Sequence, residues 1–151
     1  VTDFPGARHF RIHDISQFPV VRARASTVRP GYGPDWIREM EHLLSAATPF
    51  VLLYCETLPE EDHEDFKLRG IWMKVNRERL AAHCEAVIRV EPDAKRRTKV
   101  LQQSIGTQRA FGVPTEVAST IEEALIRASA LCAGHDDPGS IALADRTGHV
   151  S

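Results

Sequence analysis

Phe50-Val-Leu-Leu-Tyr-Cys55 and Ala86-Val-Ile-Arg-Val90 are the stretches whose reading decides the fold. Both are short, rich in β-branched residues and apolar at neighbouring positions, where a half-buried strand would alternate. A strand apolar on both faces is one covered by helices on each side, as parallel sheets are. Segments with helical periodicity precede, separate and follow the two runs, so the chain reads as α/β. Ligands and partners of open α/β sheets sit outside the carboxyl ends of the strands. Attention therefore falls on the segments just after Cys55 and Val90.

Before the first run, Trp36, Ile37, Met40, Leu43, Leu44 and Ala47 recur at helical spacing, and Pro34 and Asp35 suit a first helical turn. Glu39, Glu41 and His42 are expected off that apolar stripe. Further back, Phe10–Ile15 and Val20–Ala25 alternate apolar and polar residues around the break Ser16-Gln-Phe-Pro19, which reads as an antiparallel hairpin. Between the two runs one long helix is expected from about Asp62 to His83, with Leu68, Ile71, Trp72, Val75 and Ala82 on one side and Leu80 on its flank.

After the second run, Asp93 suits an N-cap and Gly112 a helix end. The helix between them, about 94–110, has only Val100, Leu101 and Ile105 as an apolar seam. Val113–Ala118 reads as a short edge strand because it contains Pro114. Ser119-Thr-Ile-Glu122 has the spacing of a capping box. It opens a helix expected to turn Ile121, Leu125, Ala128 and Leu131 inward and to end near Gly134. The expected architecture is a mostly parallel open sheet of about five strands, with an N-terminal antiparallel hairpin and four helices. Residues 1–9 are expected to be a flexible arm, 10–133 a single domain and 134–151 a disordered tail.

The net charge of −2 gives no electrostatic case for nucleic acid. Three cysteines, odd in number, widely spaced and without a CxxC pair, read as reduced thiols in a cytoplasmic protein rather than as disulfides or metal ligands. The opening residues lack the apolar core of a secretory signal, and no apolar run is long enough for a membrane span. No cofactor fingerprint is present: Gly31-Tyr-Gly33 lacks a third glycine and precedes the wrong strand.

The order of elements, with the phrases Trp36-Ile-Arg-Glu-Met-Glu-His-Leu-Leu44, Ala82-His-Cys-Glu-Ala-Val-Ile88 and Ser119-Thr-Ile-Glu-Glu-Ala124, resembles the STAS, or anti-sigma-factor-antagonist, type of fold. The likeness is to its SpoIIAA-like branch, which in turn resembles the lipid-binding Sec14 type, and covers roughly residues 10 to 132. The resemblance implies a regulatory or carrier role. The family's phosphorylatable Asp-Ser-Ser pattern is absent here. Thr57 is the sole hydroxyl in the corresponding loop, and the carboxylates around it would repel a phosphate.

Two charged segments follow the buried runs. Glu60, Glu61, Asp62 and His63 come after the first, and Lys95, Arg96, Arg97 and Lys99 after the second. Consecutive carboxylates at a helix start diverge, so they read as complements to the helix dipole and no metal is expected. The basic run lacks a glycine-rich cradle and reads as a solvated face or as a contact for an acidic partner. These segments support a non-enzymatic regulatory or interaction module that docks a protein partner or a second copy. An alternative is a carrier of a small apolar or acyl ligand, with Tyr32, Cys55, Leu68 and Trp72 bordering a pocket between sheet and helices. A third is a small biosynthetic enzyme using Cys55, which would need a histidine such as His13 or His63. No catalytic residue is assigned, because the neighbours His83 and Cys84 diverge on a helix.

Overall fold

Five strands hydrogen-bond side by side in the order in which they occur along the chain. The computed structural model describes residues 10–56 and 62–136. The elements are β1 (His13–Gln17), β2 (Val20–Ala23), α1 (Gly33–Ser45), β3 (Phe50–Tyr54), α2 (His63–Val75), α3 (Arg77–His83), β4 (Cys84–Val90), α4 (Ala94–Phe111), β5 (Thr115–Ala118) and α5 (Ile121–Asp136). The hairpin β1–β2 is antiparallel and the other pairs are parallel. The fold is therefore α/β with a mixed sheet, as the two apolar runs indicate. The expected arm at 1–9 and the chain beyond residue 136 lie outside the described residues.

Topology decides how the two faces are covered. Each new strand joins on the same side of the last, so right-handed crossovers carry α1, α2–α3 and α4 over one face. There Trp36, Met40, Leu43 and Leu44 of α1 and Leu80 of α3 pack on Val21, Phe50 and Leu52. α5 covers the other face, setting Ala124, Ala128 and Cys132 against Val20, Val51, Leu53, Ala86 and Ile88. This corrects the expected inward set on α5: Leu125 and Leu131 only flank the contact, and Ile121 is exposed. The sheet supplies the bulk here, and the small residues let the helix backbone approach it.

The helix expected over 62–83 is broken at Asn76, giving five α-helices among the described residues where four were expected. Asn76 sits at φ −103°, ψ 22°, outside helical values. Its Nδ2 donates to the Trp72 carbonyl (2.9 Å) and its Oδ1 accepts from Arg79 (2.7 Å). This is the local side-chain bonding by which asparagine competes with helix continuation. The bend turns Leu80 into the core and leaves Leu68, Ile71 and Val75 of α2 exposed. The expected seam on α4 is corrected as well. Leu101 and Ile105 are exposed, and the buried residue of that helix is Ser104.

The helix ends follow sequence chemistry closely. Asp93 accepts from the Arg96 N–H (2.9 Å) as N-cap of α4. The capping box of α5 is displaced by one residue: the Thr120 hydroxyl accepts from Glu123 N, and the Glu123 carboxylate reaches back to Ser119 N (2.7 Å). Gly112 ends α4 with φ 77°, while Arg77 donates to the carbonyls of Arg109 and Ala110. A Cβ at position 112 would be strained by that φ and would sit 3.3 Å from the Arg77 guanidinium. Gly112→Ala is expected to lower stability by about 1–2 kcal/mol, read as a lower urea midpoint with unchanged slope.

Candidate functional site

On the helix-rich face α2 and α4 do not close over the sheet. A cleft of about 390 Å³ opens between them, towards the β5 edge. Its floor is made by inward side chains of three parallel strands: Leu52 and Tyr54 of β3, Cys84, Val87 and Arg89 of β4, and Thr115 of β5. Phe66, Arg69 and Met73 of α2 form one wall, and Thr107 and Phe111 of α4 the other. Trp36 and Met40 of α1 close the back. Such a volume lies in the lower part of the range for small-molecule sites, roughly 300–1,000 Å³.

The polar groups gather at one end. Tyr54 is the last residue of β3 and Arg89 the penultimate residue of β4, so that end lies at the carboxyl ends of the central strands. The Arg89 guanidinium lies over the Tyr54 ring, 5.9 Å from its centroid. Arg69 comes from α2 over the Trp36 ring (5.1 Å) and the Tyr32 ring (5.8 Å). These are cation–π distances, which hold each guanidinium by its flat face. Burial pushes the Tyr54 phenol above its ordinary value, although both arginines pull it down, so it stays protonated at neutral pH. The protonated Tyr54 hydroxyl is a neutral donor at this end of the cleft.

Among the described residues, none of the site residues singled out in sequence lines this cleft. Glu60 and Glu61 fall outside the described residues. Asp62 holds the N-cap position of α2 without a side-chain cap bond, and His63, which opens the helix, is exposed. Asp65, at the end of the same acidic stretch, is buried and accepts from the N–H groups of Gly31 (2.7 Å) and Gly33 (3.0 Å). Lys95, Arg96 and Lys99 are exposed on the first turns of α4. Arg97 bends back to the carbonyls of Glu91 and Pro92.

Of the expected pocket residues, none lines this cleft. Tyr32 is buried beneath Arg69, and Leu68 lies beside Gly33 at the start of α1. Trp72 donates to Glu41 (3.0 Å) while meeting Trp36 edge-on. Cys55 belongs to the α5 face. Burial pushes its thiol up, against the direction a nucleophile needs. His13 is fully buried beside Trp36, on the other face of the sheet from Cys55. The thiol of Cys84, on the cleft floor, is pushed up to about 12 by burial. Among the described residues no three His, Cys, Asp or Glu side chains converge as a metal site.

Sequence reasoning missed Arg69 and Arg89. The signal for Arg89 was its place inside an otherwise apolar strand run, on the same face as Val87 by strand alternation. Nothing comparable marked Arg69, whose role depends on where α2 crosses Trp36. Among the described residues no helix is long and apolar enough to cross a membrane. Compared with protein-family models, curated proteins and solved structures, the chain has no significant match in any of the three.

Proposed function

We propose that the protein is a non-enzymatic binding module of SpoIIAA-like, STAS-like fold that takes a small, largely apolar molecule in the cleft between α2 and α4. The supporting observation is the cleft itself: about 390 Å³, floored by the sheet and lined mainly by apolar side chains. Phe66 at its wall is 62% exposed, so apolar surface remains available at the mouth. A ligand that covers it gains roughly 25 cal/mol for each Å² removed from water. Protein docking through the loops has weaker support. Lys95, Arg96 and Lys99 point to solvent, and Asp65 is engaged by its own chain.

The neutral fluorescent probe phenylnaphthylamine tests this reading. Thr107 lies on α4 at the cleft wall and is exposed, so Thr107→Trp fills the cleft without disturbing the core. The wild-type chain is expected to enhance the probe's emission saturably. Thr107→Trp is expected to weaken binding by at least about tenfold with little change in melting temperature, a loss of about 1.4 kcal/mol. No saturable binding to the wild type, or equal binding to the variant, would remove the cleft as the functional site.

A further inference from the structure

The cleft is apolar over most of its lining, yet the charges it carries among the described residues are of one sign. Arg69 and Arg89 line it, and no described acidic side chain does. The two arginines come from different elements, Arg69 from a helix wall over the Trp36 and Tyr32 rings and Arg89 from the strand floor over the Tyr54 ring. An isolated surface arginine needs no explanation. Arg89 is exposed, yet its stem lines the cleft and its head stacks on a tyrosine, which sets a cation at the mouth of an apolar site. Among the described residues no carboxylate is paired with Arg89, whose ring contact is with Tyr54.

From this we infer that the ligand is an amphiphilic oxyanion, an apolar body ending in a carboxylate or phosphate, with Arg89 and the Tyr54 hydroxyl holding the anionic end. Stacking occupies the face of a guanidinium, and an oxyanion takes its in-plane N–H groups, often as a fork. The Tyr54 hydroxyl supplies a neutral donor beside them. The apolar body then lies along Val87, Leu52 and Met73 towards Phe111. This inference rests on the cleft being the binding site, and its own content is the charge of the occupant.

Displacement of phenylnaphthylamine from the full chain by a matched series tests it: octanoate, octyl phosphate, octanol and octyltrimethylammonium, with acetate and inorganic phosphate as anions lacking an apolar body. Octanoate and octyl phosphate are expected to displace the probe at about tenfold lower concentration than octanol, with the ammonium weakest and the two small anions inactive. Arg89→Gln is expected to erase most of that advantage while leaving octanol unchanged, and Arg89→Lys to restore part of it. Equal displacement by octanol and octanoate, or equal weakening of all ligands by Arg89→Gln, overturns the oxyanion assignment and leaves the cleft standing. Displacement by inorganic phosphate as strong as by octyl phosphate overturns the amphiphile. Failure of the whole series against a bound probe overturns the charge assignment, whereas failure of the probe itself overturns the cleft.

Discussion

Glu39→Ala is expected to destabilise the protein by about 3–5 kcal/mol, most of the margin by which a domain of this kind is folded. The side chain is completely buried in α1, and its carboxylate is cradled by three successive backbone N–H groups at the entry to β1. Arg11 N donates to Oε2 at 2.6 Å, Ile12 N at 3.1 Å, and His13 N to Oε1 at 2.9 Å. His13 Nδ1 completes the set at 2.8 Å. Removing the carboxylate strands those buried donors, and each lost bond to a charged group is worth about 1.5–3 kcal/mol before relaxation. Glu39→Gln keeps the shape but turns an N–H towards N–H groups, so it too is expected to destabilise, by less.

The same site sets an acid limit. Burial raises the Glu39 carboxyl, but the bonds from His13 and from the Arg11 and Ile12 N–H groups outweigh it and hold it below its ordinary value of 4.5. A folded value lower than the unfolded one means the charged form stabilises the fold. That contribution is complete above pH 4.5 and is lost as pH falls through the depressed folded value. Urea midpoints measured downward from pH 6 are expected to fall with a steeper acid slope in the wild type than in Glu39→Gln. Parallel slopes would remove Glu39 as the main contributor.

Asp65→Ala is expected to cost about 2–4 kcal/mol and to weaken ligand binding in the cleft as well. Its carboxylate joins α2 to the loop before α1 through the N–H groups of Gly31 and Gly33. Gly31 is favoured by its φ of 92°, and Gly33 by the approach of Asp65, whose Oδ1 would lie 2.9 Å from a Cβ there. The joint places α2, and α2 carries Phe66, Arg69 and Met73 into the cleft. Chemical denaturation reads the first effect and phenylnaphthylamine titration the second. A destabilised variant whose affinity is unchanged under native conditions would separate the joint from the site. Gly33→Ala, which forces the carboxylate away, is expected to show the same pair of effects in weaker form.

How much of this could be read in advance depended on whether the cause was local. Asp93 caps α4 and Gly112 ends it because both effects are settled within a few residues. The buried run at β3 was legible since a strand apolar at every position has only one kind of surroundings. Glu39 was misplaced because periodicity measures hydrophobicity, and a buried carboxylate satisfied by backbone N–H groups looks identical to a solvated one. Asp65 is indistinguishable in sequence from the acidic residues before it for the same reason: the donors that hold it are more than thirty residues away. Trp72 and Leu68 do not reach the cleft because α2 presents them to α1, where Trp72 donates to Glu41 and Leu68 approaches Gly33.

Sequence alone determined the class of fold, the hairpin, the order of elements and most helix ends, since these follow from period, propensity and short-range hydrogen bonding. Only the tertiary structure decided that three crossovers fall on one face and that α2 and α4 stand apart there. It also decided that an arginine from a strand lies over Tyr54 while one from a helix lies over Trp36 and Tyr32. Those outcomes depend on packing between residues far apart in the chain, and no local pattern encodes the distance between two helices.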